Sequence, residues 1–309
     1  MTAVTIAGKL GRVLLVAWIV AMVAWLCSEA FDESARKRAA RAAGVLPADD
    51  STLTAELREQ LIDDVAKRQG LNRSLVVRLA DYSAGMLQLD FGRSWRDSQP
   101  IAPRLASATI TSLRLLLLAL LLGIALGGAA AIASARRPGS AGDTALGIGA
   151  AIVLSSPPVW LALLGLRAFG WGATASAVLP VVVLALVPAF VIARHGRAAL
   201  IEASTSPWAV AARARGVSRS RLVAVHAVRA SMAQLLPLIS VLTAYLLGAM
   251  VVLEELFGIS GLGRLLVDAS RHGDTPMIVA VSVVCAVVVA FASAALDLTR
   301  RRVAPNEGE

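Results

Sequence analysis

Few stretches of this chain have residue types that could do chemistry, and each lacks a part that the chemistry needs. A nucleotide phosphate is cradled by Gly-Xaa4-Gly-Lys-Ser/Thr, in which backbone amides and the lysine face the phosphate oxygens, and no such run occurs. The run Gly261 to Leu266, GLGRLL, has two glycines but no preceding strand pattern and no third glycine in place. GISGLG, from Gly258 to Gly263, lacks the spacing of a serine nucleophile elbow. His195, His226 and His272 are scattered without a paired metal spacing, and His226 reads as an interfacial structural histidine. Cys27 and Cys285 lie far apart inside apolar runs, which fits buried thiols better than a disulfide or a zinc site. No serine with a base, and no pair of acids, sits within an apolar run as intramembrane proteolysis would require. The expectation is a protein without catalytic, cofactor-binding or metal-binding residues of its own.

A different pattern stands out between two long apolar runs: VAARARGVSRSRLVAVHAVR, Val210 to Arg229, cationic, helix-patterned and interrupted by Gly216. Its surroundings are hydrocarbon. The chain is 57% hydrophobic and 17% charged, with a mean hydropathy of +0.71, well outside the range of soluble domains. The net charge of +9 does not indicate nucleic acid, because the basic residues are dispersed among apolar runs with little aromatic interleaving to stack bases.

Crossing the bilayer takes about 20 apolar residues in a helix. Five uncharged runs meet that length: Leu115 to Ala135, Ala145 to Leu166, Ala173 to Ala193, Ser231 to Leu253, and Met277 to Leu296. A shorter run, Val13 to Leu26, follows Lys9 and Arg12 and precedes Ser28-Glu29-Ala30. It reads either as a retained span flanked by Trp18 and Trp25 or as a secretory signal peptide. Orientation follows lysine and arginine in short loops. Arg136 and Arg137, the segment Arg194 to Arg229, and Arg300 to Arg302 all fall on one side, which places both termini in the cytoplasm. The long connection from Glu29 to Arg104 is mixed in charge and can be translocated. Within it, STLTAELREQLIDDVAKRQGLN opens on a cap, carries Leu57, Leu61, Ile62 and Val65 at helical spacing, and predicts an amphipathic helix ending at Gly70. The earlier DESARKRAARAAGVLPADD reads as a surface helix or a partly disordered segment.

The cationic stretch then falls on the cytoplasmic side between spans four and five. A helix leaves the membrane past Arg194 and Arg197, breaks at Ser206-Pro207, and resumes as a short helix that ends at Gly216. Ala209, Ala211, Ala212 and Ala214 would let another surface approach closely. Physical chemistry alone leaves two readings open, a docking elbow and a solvated loop lying against anionic lipid headgroups. Arg114, the one charge near an apolar middle, either snorkels from the external start of the second span or lines a pathway.

Residue order adds a resemblance. RQGLNRSLVVRLADYSAGMLQLDFGRSW, Arg68 to Trp95, is similar to an external segment that begins Gly-Leu-Asp and ends Gly-Asp-Xaa-Gly-Xaa-Ser, with Asn72 and Leu89 as departures. SSPPVWLALL is similar to a Ser-Xaa-Pro-Xaa-Phe span start, with Trp160 as the aromatic. Ala212-Arg213-Ala214-Arg215-Gly216 stands where an Ala-Arg-Ala-Lys-Gly core is expected, and His226-Ala227-Val228-Arg229 where His-Ala-Leu-Arg is expected. LEELFGISGLGRLLVDASRHGDTP is similar to Glu-Xaa-Xaa-Phe-Xaa-Xaa-Pro-Gly-Leu-Gly-Arg-Leu followed by Asp-Xaa-Pro. Together these motifs resemble the B-type integral membrane permease of ATP-binding-cassette importers for dipeptides, oligopeptides and nickel.

The resemblance implies an all-α integral membrane fold with six transmembrane helices, a long extracytoplasmic segment after the first, and a cytoplasmic coupling elbow between the fourth and fifth. The implied organisation is an N-terminal span over 1–30, an extracytoplasmic segment over 31–104, a five-helix permease core over 105–302, and a cytoplasmic tail over 303–309. Glu202, Ala211, Ala212, Arg213, Ala214, Arg215 and Gly216 would form the part that docks on a separate ATPase. Glu254, Phe257, Gly261 and Gly263 would belong to a loop at the outer mouth that meets a binding protein and helps close the pathway. Implied partners are a second permease chain, two ATP-binding-cassette ATPase subunits, an extracytoplasmic substrate-binding protein and membrane lipid. The implied location is the bacterial inner membrane, and peptides are the leading cargo.

Several positions depart from that pattern. Pro-Gly-Asp-Pro is missing after the first span, Ser260 replaces a proline, Pro207-Trp208 stands where aspartate and tyrosine are common, and RAFGWGATA makes a short connection. Alternatives carried forward are a nickel or metal-chelate importer, an ion-coupled secondary transporter, and a membrane anchor that recruits cytosolic proteins. Against the secondary transporter, Asp143 and Asp297 sit at span ends and no internal repeat is evident.

Overall fold

A computed structural model describes residues 32–46, 54–68, 71–74, 90–170, 172–218 and 221–303 continuously, with scattered positions from 8 to 26 and from 77 to 88. Regular structure among them is helical: α1 (Asp32–Ala42), α2 (Ala55–Arg68), α3 (Ile101–Arg136), α4 (Ala141–Ser155), α5 (Pro158–Phe169), α6 (Ala173–Thr205), α7 (Pro207–Ala214), a π-helical segment (Leu222–Ala227), α8 (Val228–Phe257), α9 (Leu262–His272) and α10 (Thr275–Val303). Four helices are long and apolar enough to cross a membrane, or five crossings result if the bent pair α4 and α5 counts as one. Positions 18–23 are helical, and Ala21 and Met22 are buried beside Val279 and Val283. Much of the expected first span, Cys27, Gly70, most of 75–89, the tail 304–309 and the side chains of His226 and Arg229 lie outside the described residues.

The chain divides into two compact units. The first contains the described parts of Met1–Ser112 together with Gly258–Ala290. Its polar portion is a pair of packed helices, α1 and α2. Alanines make the close packing possible: Ala39 and Ala40 of α1 meet Val65 and Ala66 of α2, and Leu46, Leu71 and Trp95 close the cluster. The expected amphipathic helix is therefore present as α2, and the alanine-rich segment before it is α1. A tight hairpin precedes α3, with the Ser94 amide donating to Gln99 O at 3.0 Å and the Ile101 amide to Gly92 O at 3.1 Å. A second cluster joins the start of α3 (Ile101, Leu105, Ala108) to α9 (Leu262, Ala269) and α10 (Met277, Ala280, Val281). The buried Ile, Leu, Met and Val side chains among these each contribute roughly 1.5–3 kcal/mol relative to exposure.

The second unit, Leu113–Phe257 with Phe291–Glu309, is organised on α6, which packs against α4, α5, α7, the π-helical segment and α8. Backbone approach explains one glycine on α3. A Cβ at Gly127 would sit 2.4 Å from Ala189 O, so only hydrogen fits there. Leu117, Leu121, Ile152 and Leu164 point outward from α3, α4 and α5, as lipid-facing positions do.

One expected span has a different shape. The run Ala145 to Leu166 falls in two helices bent by 108° from one another instead of one straight crossing. Consecutive prolines cause the break: Pro157 takes φ −60 and ψ 139, and Ser156 before it is also extended at φ −95 and ψ 131. The residue before a proline is pushed out of the helical region, and Pro158 suits a first turn.

Candidate functional site

The elbow forms where local sequence dictates. At Ser206 the backbone turns extended, with φ −64 and ψ 158, and α7 starts on Pro207. Eight residues later it stops. The Val217 amide reaches back to Ala212 O at 3.2 Å and the Gly216 amide to Arg213 O at 2.9 Å. Gly216 adopts φ +90, where a side chain is disfavoured. Ala209 is fully buried and anchors α7, while Glu202, Ala211, Arg213, Ala214, Arg215 and Gly216 are exposed and Ala212 is half-buried. The seven residues predicted for docking thus fall in one block from the end of α6 through α7 to the turn at Gly216, all exposed except half-buried Ala212.

Beneath the block, Leu200, Val223 and Ala227 pack with Ala131 and Ala135 of α3. The chain returns through the π-helical segment Leu222–Ala227, whose widened turn is an uncommon conformation often found at working positions.

An ion pair that sequence reasoning did not connect lies just above the elbow. Arg197 of α6 grips Asp143 of α4 with both arms, Nε to Oδ1 at 2.5 Å and Nη2 to Oδ2 at 2.7 Å. The Ser134 hydroxyl of α3 donates to the same carboxylate, as does the Gly139 amide at 2.8 Å. Ser140 caps α4 by accepting from the Asp143 amide at 3.3 Å. The only hint in the sequence was an aspartate and an arginine placed at the ends of apolar runs, 54 positions apart.

The residues expected at the outer mouth are mostly interior. Glu254 is fully buried near the end of α8, Phe257 is half-buried, and Gly261 and Gly263 are buried. Arg264 Nη1 donates to Gly258 O at 2.7 Å, and the Leu262 amide donates to Ser112 Oγ at 2.7 Å. Within the first unit, buried Asp274 accepts from the Ser94 hydroxyl and from the Trp95 amide at 3.1 Å. Arg96 pairs with Asp268 at 2.8 Å. These contacts tie the hairpin before α3 to the segment around α9, and none was legible in the sequence. At Asp97, burial pushes the carboxyl up, but the Gln99 amide, the Arg104 charge and Ser94 outweigh it and hold it below the usual carboxylate value.

Arg114 is exposed on α3. Among the described residues, no group of three His, Cys, Asp or Glu side chains is arranged to hold a metal ion.

Comparison with known proteins bears on most of the chain. Residues 119–307 match the family described as binding-protein-dependent transport system inner membrane component. The dipeptide transport system permease protein DppB of Lactococcus lactis is 32% identical over 231 residues, covering 71% of this chain and 76% of that protein. The glutathione transport system permease protein GsiC of Salmonella choleraesuis is 33% identical over 250 residues, covering 76% of this chain and 80% of that protein. A putative peptide transport system permease protein of Brucella abortus is 29% identical over 254 residues, covering 76% and 81%. A helical chain with several membrane-crossing elements, matched over most of its length to such proteins, belongs to the binding-protein-dependent transport system inner membrane component family.

Proposed function

We propose that this chain is the permease subunit of an ATP-driven importer of short peptides, forming half of a translocation path that opens alternately to the two sides of the inner membrane. The observation that carries this reading is the exposed elbow of small and basic residues, Glu202 to Gly216, in a chain with no phosphate loop. Energy must then enter from another subunit, and the elbow has the form of a surface for it. Alanines permit close approach, and Arg213 and Arg215 offer forked donors to carboxylates on the partner. The family description supplies the other partner class, a binding protein that delivers cargo. Dipeptide, glutathione and peptide transport in the names of similar proteins favours peptides as the cargo.

The full assembly in this reading has a second permease chain, two ATPase subunits and an extracytoplasmic binding protein. The chain has six spans, the first retained, with both termini and the elbow cytoplasmic. Burial of Ala21 and Met22 beside α10 supports retention of the first span, because that segment then has a packing partner in the mature protein. The broken pair α4 and α5 serves as one crossing. Buried Glu254 acts in closing the outer mouth and not in touching the binding protein, since a side chain without exposure cannot meet a partner unless the loop opens. The first unit, with α1, α2 and the tied hairpin, offers the external surface for the binding protein.

The test is uptake into proteoliposomes that hold the permease pair and ATPase subunits, with the binding protein and a labelled dipeptide supplied on the binding-protein side. The expected result is uptake that requires ATP and is blocked by vanadate. Uptake driven by a proton or sodium gradient without ATP would overturn the proposal.

A further inference from the structure

The carboxylate of Asp143 is saturated, and its four donors come from three parts of the second unit. Arg197 brings α6, Ser134 brings the end of α3, and the Gly139 amide brings the turn between α3 and α4. The Asp143 side chain is 8% exposed and that of Arg197 35%. Such a bidentate pair fixes angle as well as distance, which a lysine in place of the arginine could not do.

Two features distinguish this cluster from a staple that merely holds helices together. First, the helices it joins already pack closely elsewhere: Gly127 of α3 meets Ala189, and Gly149 of α4 is so near Phe190 that an added Cβ would lie 2.9 Å from its ring. Second, its location is mechanical. Arg197 lies on the helix whose last residues, Glu202 to Thr205, begin the elbow, whereas the return from the elbow runs through the π-helical segment Leu222–Ala227. One side of the elbow is thus clamped to α3 and α4 by ionic contacts, and the other joins α8 through a widened turn.

We infer that Arg197 and Asp143 are positioning residues for coupling: they make the stem of the elbow, the end of α3, the α3–α4 turn and the start of α4 move as one body when the ATPase displaces the elbow. This inference rests on the coupling role proposed for the elbow. Without the clamp, a push on α7 would be absorbed by sliding of α6 past α4, and ATP would be hydrolysed without moving cargo.

The experiment uses the complete importer in nanodiscs and proteoliposomes, with the wild type, Arg197→Lys, Arg197→Gln, Asp143→Asn and Ser134→Ala in parallel. Three quantities are read: affinity for the ATPase subunits, ATP hydrolysis stimulated by loaded binding protein, and dipeptide transported per ATP. The expected result is near-normal ATPase binding and sustained hydrolysis, with transport per ATP reduced about tenfold in Arg197→Gln and Asp143→Asn, within the span known for coupling networks. Arg197→Lys keeps the charge and loses the fork, and Ser134→Ala loses one donor, so both fall between these and the wild type. If the neutral variants fail to accumulate, the two milder ones carry the decision. An unchanged ratio of transport to hydrolysis in them, or a parallel loss of ATPase binding, hydrolysis and thermal stability, overturns the inference. The wild type separates this failure from a failure of the coupling role itself, which would appear as no ATPase binding before any substitution.

Discussion

Gly216 offers the sharpest test of the elbow, because a substitution there changes backbone preference and little else. Nothing lies within 4 Å of the position a Cβ would take, so alanine adds no clash. What it adds is strain at φ +90, in the left-handed half of conformational space, where an L side chain costs about 1–2 kcal/mol. If the free elbow relaxes to relieve that strain, docking must restore it, and affinity for the ATPase falls by the same amount. At about 1.4 kcal/mol per factor of ten, Gly216→Ala weakens docking roughly 5- to 30-fold. Asparagine tolerates this region better and should cost less, and β-branched valine more. The assay is equilibrium binding of purified ATPase subunits to the permease pair in nanodiscs, followed by uptake at matched expression. If Ala and Val variants bind and transport as the wild type does, the turn at Gly216 does not shape a docking surface and the reasoning fails.

Other expectations concern the two units separately. Asp274→Ala leaves the Ser94 hydroxyl and the Trp95 amide without their buried acceptor, at about 1–3 kcal/mol for each group that stays unpaired. The hairpin before α3 should then become the first site of limited proteolysis, whereas Asp274→Asn, which retains an acceptor, should protect it. Gly127→Ala forces a Cβ against Ala189 O, but its neighbour Gly128 has nothing within 4 Å. Overpacking of this kind typically costs about 1–3 kcal/mol, so Gly127→Ala should lower the melting temperature in detergent and Gly128→Ala should not. Asp97 is held below its ordinary value, so its contribution is present at neutral pH and is lost as pH falls through its folded value, on the acid side of an ordinary aspartate. Protection of the hairpin amides, relative to their intrinsic exchange rate at each pH, should fall there, and Asp97→Asn should remove that dependence.

How much of this was legible in the sequence depended on whether the cause was local. Ser206-Pro207 and Gly216 set backbone angles by themselves, so both ends of α7 could be read from residue types. The five longest apolar runs coincide with long helices or, for Ala145 to Leu166, with a bent helix pair, yet hydropathy carries no direction and does not mark the 108° bend at Ser156-Pro157. Contacts that join distant positions gave no signal at all. Asp143 and Arg197 are 54 positions apart and Ser94 and Asp274 are 180 apart, and nothing in the spacing of either pair marks it. Residue order marks the segment around Glu254 as one expected at an outer mouth, but only the fold shows that Glu254 is buried.

The central claim is that the elbow is where a separate ATPase grips this permease. It is tested most directly by placing a single cysteine at Ala211 or Ala212, with Cys27 and Cys285 replaced by serine, and crosslinking in native membranes. Mass spectrometry of the crosslinked product identifies the partner. The expected result is a phosphate-loop ATPase captured from either position and lost from the elbow in the Gly216→Val variant. Efficient labelling of both positions with no ATPase captured would contradict it and return Arg213 and Arg215 to the lipid surface.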